Sequence, residues 1–277
     1  MKFRLLLASL LISLPLFAQD SGDTAFLAAR DAFRAGDRNK LDKAASALGS
    51  QHDLAPYVEN YRLRLNMDQS DSPAFQDFLE RNDRSYVAEK LRADRLRWLA
   101  KRSRWADVES EFARLVAPEP DVVCYQQQAR LARNDRSVYD EVEKLWLTQL
   151  EPPEACRPLF DALVAAQRVK TDDVWTRARR QSEANRPGWA KTTLDYLPDS
   201  QTVDGKSFDS AFNSAMAYLA KQPANWYATR PGRELTAIAI ARVATNDPRT
   251  AADELSKRQN RMQDSEKQWA WSQIGLN

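Results

Sequence analysis

The chain has 277 residues, 43% of them hydrophobic and 29% charged, with only seven glycines, two cysteines and one histidine. Its 41 basic and 39 acidic residues leave a formal net charge of +2, too small an excess for a non-specific grip on phosphate, which excludes nucleic acid as a partner. Few glycines and no β-branched runs exclude a strand-rich architecture, and the dominance of Ala, Leu, Arg, Asp and Glu reads as nearly all helix.

Lys2 and Arg4 precede an apolar run from Leu5 to Phe17 and then the small residue Ala18, the pattern of a secretory signal peptide cleaved between Ala18 and Gln19. The run is too short for a membrane span, and no cysteine follows it to take a lipid. Residues 1–18 are therefore expected to be removed, leaving residues 19–277 as a single soluble, exported domain with no membrane attachment. Losing Lys2 and Arg4 brings the formal net charge from +2 to 0.

The first expected helix, Thr24 to Ala35, carries Phe26, Leu27, Ala29 and Phe33 on one face and ends at Gly36. Lys40 to Leu48 follows, stopped by Gly49, and Pro56 opens a helix bearing Tyr57, Val58, Tyr61 and Leu65. Ser72-Pro73 supplies an N-cap and an N1 proline to a helix with Phe75, Phe78 and Leu79. Ser85 to Ala100 places Val87, Leu91, Trp98 and Leu99 inward and Arg92, Arg95, Arg97 and Lys101 largely outward, and Trp105 to Val116 follows. Each segment is short and amphipathic, so none is stable alone.

The central stretch runs from Asp121 to Leu163: a helix, a tight turn at Asn134-Asp135-Arg136, a second helix, a Pro152-Pro153 break and the start of a third. An antiparallel hairpin of this length carries the chain out from Cys124 and returns Cys156 beside it. A disulfide there, favoured by export, adds roughly 3–4 kcal/mol by loop-closure entropy; two separate buried thiols are the alternative. Beyond it are expected helices Asp172 to Asn185, Gly188 to Leu197, Ser207 to Lys221, Glu234 to Ala244, Pro248 to Arg258 and Asp264 to Ile274. In all about fifteen helices are expected, and no strand.

The segments 35–48 (AGDRNKLDKAASAL), 102–115 (RSRWADVESEFARL), 133–146 (RNDRSVYDEVEKLW) and 245–258 (TNDPRTAADELSKR) resemble one another: a polar turn, then a short amphipathic helix. Two of them start 31 residues apart, close to the period of a helical-hairpin array. The expected fold is all-α: an α-superhelix, a solenoid of stacked helical hairpins, tetratricopeptide-like but degenerate, with a concave surface. A compact irregular bundle is the alternative.

No self-contained catalytic constellation is apparent. His52, alone in a Gly-Ser-Gln-His-Asp linker, reads as solvated, and no HExxH, CxxC, EF-hand, glycine-rich phosphate loop or GxSxG pattern occurs, so no cofactor and no metal is expected. Arg177, Arg179 and Arg180, interleaved with acidic residues, read as a solvated, salt-bridged face rather than an anion path. Among eight tryptophans, Trp98, Trp105 and Trp146 fall at core spacing. Trp226-Tyr227, after Pro223, and Trp189, after Pro187-Gly188, lie near helix ends within reach of a ligand, although packing is the better reading.

Four stretches carry a family resemblance: FLAARDAFRAGDRNKLDKAASAL after the signal, FLERNDRSYVAEKLRADRLRWLAKRSRWADVESEF, the two cysteines flanking YQQQARLA and an LW…C..LFDAL hairpin, and WAWSQIGL near the end. In combination they resemble the amino-terminal superhelical (U-type) portion of the soluble lytic murein transglycosylases of Gram-negative bacteria. The resemblance implies a periplasmic location and a superhelical segment contributing to a ring-shaped body. In that family a separate carboxyl-terminal lysozyme-like domain cleaves peptidoglycan glycan strands without hydrolysis, to 1,6-anhydromuropeptides. That domain carries a catalytic glutamate in a Glu-Ser motif, followed by GLMQ, Asn-rich and Ala-Tyr-Asn segments. Glu109-Ser110 imitates only the first, inside the helical pattern WADVESEFARL, so no catalytic residue is assigned and this chain alone is expected to be inactive. An incomplete array, ending at Asn277 before the catalytic domain, is expected.

Two functions are compatible with these features. One is the non-catalytic scaffold portion of a lytic transglycosylase, whose partner is peptidoglycan. The other is a periplasmic helical-repeat adaptor that binds a protein in its concave groove.

Overall fold

Helix follows helix throughout the computed structural model, which describes residues 17–223 and 225–277: sixteen α-helices and five short 3-10 turns, and no strand among the described residues. They form two compact units, one ending at Ala132 and one beginning at Arg133. The expected all-α class of stacked helical hairpins is what both units contain.

The first unit holds α1 (Phe17–Arg34), α2 (Arg38–Leu48), α3 (Ala55–Leu65), α4 (Pro73–Arg81), α5 (Tyr86–Ala100), α6 (Trp105–Phe112) and α7 (Pro120–Ala132). Most helices adjacent in sequence pack on one another, and α5 also meets α3 and α7. In α1, Ala25, Ala29 and Ala32 repeat at helical spacing and face Leu41, Ala44 and Leu48 of α2. Leu27, expected inside, is 46% exposed, because it falls on the opposite side of α1 from these buried alanines. Phe33 stacks on Tyr61 with ring centres 4.6 Å apart. Two further cores follow, one around Phe75, Phe78 and Leu91 and one around Leu96, Leu99, Val108 and Val122. Trp98 and Trp105 pack against the latter, as their spacing implies.

Two side chains of this unit depart from their expected settings. Arg92 is 4% exposed rather than outward, because the carboxylate of Glu111, itself 4% exposed, accepts from its Nη1 at 2.9 Å. A period-based reading places arginine outside and has no means of seeing a partner on the neighbouring helix. His52 is half-buried rather than solvated: its Nδ1 accepts from the Leu54 amide at 3.1 Å, at the start of α3. Its ring lies where a side chain on Gly22 would sit, 2.5 Å from an added Cβ.

The second unit holds α8 (Val138–Thr148), α9 (Arg157–Ala165), α10 (Thr171–Glu183), α11 (Pro187–Leu194), α12 (Gly205–Asn213), α13 (Ala215–Ala220), α14 (Arg230–Ala244), α15 (Pro248–Ser256) and α16 (Asp264–Leu276). The 15-residue α14 touches α10, α12, α13, α15 and α16, and is buried nearly all round. Gly232 is obligatory there, since a Cβ would stand 2.0 Å from the Trp226 carbonyl oxygen. The single helix expected over 207–221 is two, broken at Ser214 (φ −132°). The carbonyl of Phe212 beside the break accepts from Arg242 Nε at 3.4 Å.

Four of the turns between helices share one backbone cause, two of them in the repeated segments 35–48 and 102–115; the turn that opens 245–258 has no left-handed residue. After α1, α5, α9 and α10 the chain enters the left-handed region at Gly36, Ser103, Gln167 and Asn185, with φ between 56° and 69°. At each the following amide bonds back five residues, Asp37 to Ala32, Arg104 to Leu99, Arg168 to Leu163 and Arg186 to Gln181, at 2.8–3.1 Å. Paired with a second bond three residues back, this is the Schellman termination. Asn134, in the turn before α8, is also left-handed, at φ 67°.

Candidate functional site

Packing of α8, α9, α10 and α11 in the second unit leaves a cleft of about 410 Å³. Its floor begins with an unusual use of arginine. The last carbonyls of a helix have no partner within the helix and form its negative end. Those at the end of α8, and the carbonyls just past it, are taken by side chains of α10: Arg177 donates to Trp146 and Gln149, Arg180 to Leu147, and Gln181 Nε2 to Leu150 at 2.7 Å. The pattern expected to form a solvated face therefore caps a neighbouring helix instead. Arg179, 8% exposed, turns the other way and pairs with the buried Glu234 of α14 at 3.4 Å.

Arg177 is 4% exposed, and among the described residues no carboxylate pairs with it. Its guanidinium lies between two rings, 4.8 Å from the centre of Trp146 and 5.2 Å from that of Phe160, where cation–π attraction offsets part of its desolvation. Burial, with the nearby Arg180 charge adding, lowers its pKa to about 10, so it remains a cation at neutral pH. Trp146 meets Phe160 and Tyr196 edge-on, at 5.3 and 5.6 Å. The Tyr196 hydroxyl donates to Asp161 at 2.7 Å, and burial first, then that bond, raises its pKa.

Two polar atoms of the lining have no hydrogen-bond partner: the indole Nε1 of Trp146, 3% exposed, and the amide Oε1 of Gln181, fully buried. Buried polar atoms are rarely left this way. At the mouth, Trp189 is half-buried in the first turn of α11, and the space beside Gly188 is open. Arg157 and Glu154 also line the cleft and are exposed.

Of the residues singled out in the sequence, Trp146 and Trp189 come together here. Trp226 and Tyr227 do not: the indole donates to the Tyr218 hydroxyl at 2.8 Å and the Tyr227 phenol to Gln222, so both serve packing. Glu109 and Ser110 lie within α6, between the buried Val108 and Glu111. No cysteine is free, and Cys124 in α7 and Cys156 just before α9 are both disulfide-bonded. Ala18 and Gln19 fall in the first turn of α1; the rest of the expected signal, residues 1–16, lies outside the described residues. Arg157, Phe160, Gln181 and Tyr196 have no sequence signal beyond their nearness to Pro152-Pro153 and Pro187-Gly188. No helix among the described residues is long and apolar enough to cross a membrane.

No protein-family profile and no curated protein matches the chain in sequence. Solved structures do match. The 70 kDa soluble lytic transglycosylase of Escherichia coli superposes over 93% of this chain with a TM-score of 0.61 and 18% identity. Its complex with bulgecin A gives the same TM-score at 19% identity, and an inactive mutant of the lytic transglycosylase Slt of Pseudomonas aeruginosa gives 0.63 at 22% over 91% of this chain. The likeness is one of fold. The chain spans about two-fifths of the length of these proteins, 41–42%.

Proposed function

We propose that this chain is a non-catalytic helical scaffold portion of a murein-active lytic transglycosylase, exported to the periplasm, where it holds peptidoglycan for a separate catalytic module. The observation that carries this reading is the extent of the fold match: 91–93% of the chain follows enzymes of this one kind. The whole enzyme would cleave glycan strands to 1,6-anhydromuropeptides, and in this reading Glu109 is a structural residue of α6. Residues 1–18 are the export signal, cleaved after Ala18, and residues 19–277 are one structural array. Cys124 and Cys156, the chain's only cysteines, are proposed to pair with each other. The test is to incubate the purified chain with murein sacculi and analyse the soluble fraction by mass spectrometry. No anhydromuropeptide is expected; release that disappears in Glu109→Gln would sink the non-catalytic assignment.

A further inference from the structure

The cleft between α8, α9, α10 and α11 has a chemistry that packing alone leaves unexplained. Its lining holds two cations, Arg157 and Arg177, against one carboxylate, Glu154. Among the described residues, Arg157 makes no side-chain ion pair, and Arg177 faces only carbonyls and rings. The cleft therefore favours an anion. An unpartnered donor (Trp146 Nε1) and an unpartnered acceptor (Gln181 Oε1), both more than nine-tenths buried, lie in the same lining. The floor of the cleft thus holds hydrogen-bonding capacity of both signs that the protein itself does not use. The Trp189 indole, half-exposed beside the open space at Gly188, offers a flat apolar face of the kind that the C–H face of a pyranose covers. The volume, about 410 Å³, falls in the range of small-molecule sites and has room for a monosaccharide or disaccharide.

We propose that this cleft binds a saccharide unit bearing a carboxylate. The sugar ring lies on Trp189, and the carboxylate meets Arg157 with the buried charge of Arg177 behind it, over a floor formed by Trp146 and Gln181. Ligand class is set by the cleft's own residues; the proposal rests on the preceding reading only for the polymer that presents such a unit.

The experiment titrates the full chain with three probes, N-acetylmuramic acid, glucuronic acid and the neutral N-acetylglucosamine, followed by tryptophan fluorescence and by the indole N–H signals in NMR. Both acidic sugars are expected to bind saturably, at least about tenfold tighter than the neutral one, with a shift confined to few indole signals, that of Trp146 among them. Arg157→Gln is expected to abolish the preference for the acids, and Trp189→Ala to weaken all three probes about tenfold or more. Both residues lie at the mouth, so circular dichroism checks that each variant keeps its helix content. Equal binding of neutral and acidic sugars, or no saturable binding by any probe, overturns the proposal. Glucuronic acid binding without retention on sacculi supports the cleft and removes the murein reading. Retention on sacculi that Trp189→Ala leaves intact, with no binding of the acidic sugars, removes the cleft and keeps the murein reading.

Discussion

Glu111→Ala removes the anion at the centre of a buried ion network in the first unit. Glu111 accepts from Arg92 Nη1 at 2.9 Å through one carboxylate oxygen and from Arg95 Nη1 through the other, and the three side chains are 4%, 4% and 13% exposed. Without the carboxylate two cations lose their shared partner. Each keeps a poorer one: Asp83 lies 3.4 Å from Arg92 and Asp71 2.8 Å from Arg95, and both aspartates are 57% exposed. Breaking a buried pair from one side costs about 3–5 kcal/mol, and the residual partners place this variant at the lower end, about 3 kcal/mol. In urea unfolding followed by circular dichroism, with a slope of about 2 kcal/mol/M, the midpoint falls by about 1.5 M. Replacing all three residues by leucine is expected to recover most of that loss, because no charge then remains buried. A loss below about 1 kcal/mol, the range of an exposed ion pair, would refute the reasoning.

Glu234, fully buried, has its pKa raised from 4.5 to about 6, chiefly by burial, which Arg179 opposes and Glu266 reinforces. The folded state holds this proton more tightly than the unfolded one, so the contribution is greatest below pH about 4.5 and is lost as pH rises through 6, by about 2 kcal/mol. The stability difference between wild type and Glu234→Gln, measured by denaturant titration from pH 4 to 7, is expected to change by that amount, and a flat difference contradicts it. Gln167 occupies a left-handed position (φ 57°), so Gln167→Gly is expected to stabilise by about 0.5–1 kcal/mol in thermal unfolding, and a loss would show that the turn is not strained. If Cys124 and Cys156 pair, mutating both to serine removes roughly 3–4 kcal/mol, and peptide mapping without reductant finds one linked peptide. Recovery of two separately alkylated thiols from the unreduced protein excludes the bridge.

Several helix starts are legible in the sequence because they are local, although α1 and α14 begin seven and four residues before the expected Thr24 and Glu234. Pro73, Pro187 and Pro248 each open a helix where proline is tolerated, and Asp37, Asp204 and Asp247 accept from the amide three residues on. Several polar turns between helices are legible for the same reason, since one left-handed residue, as at Gly36 or Asn185, ends a helix wherever it stands. Buried arginine is not legible in this way. The period of α5 assigns Arg92 outward, and only Glu111, brought in by α6, reverses it. The break at Ser214 is likewise hidden within a continuous apolar stripe through Phe208, Phe212 and Leu219. The cleft lies between these extremes: Pro187-Gly188 marks Trp189 as accessible, whereas Arg177 and Gln181 acquire their roles from carbonyls about 30 residues earlier. Pairings at that separation depend on how whole helices dock, which periodicity within one helix does not encode.

Cosedimentation of the purified chain with murein sacculi, with the bound fraction and the released glycans measured in the same tube, tests the central proposal most directly. A scaffold portion is retained on the sacculi and leaves them uncleaved. Protein remaining in the supernatant, or anhydromuropeptides appearing there, would contradict it.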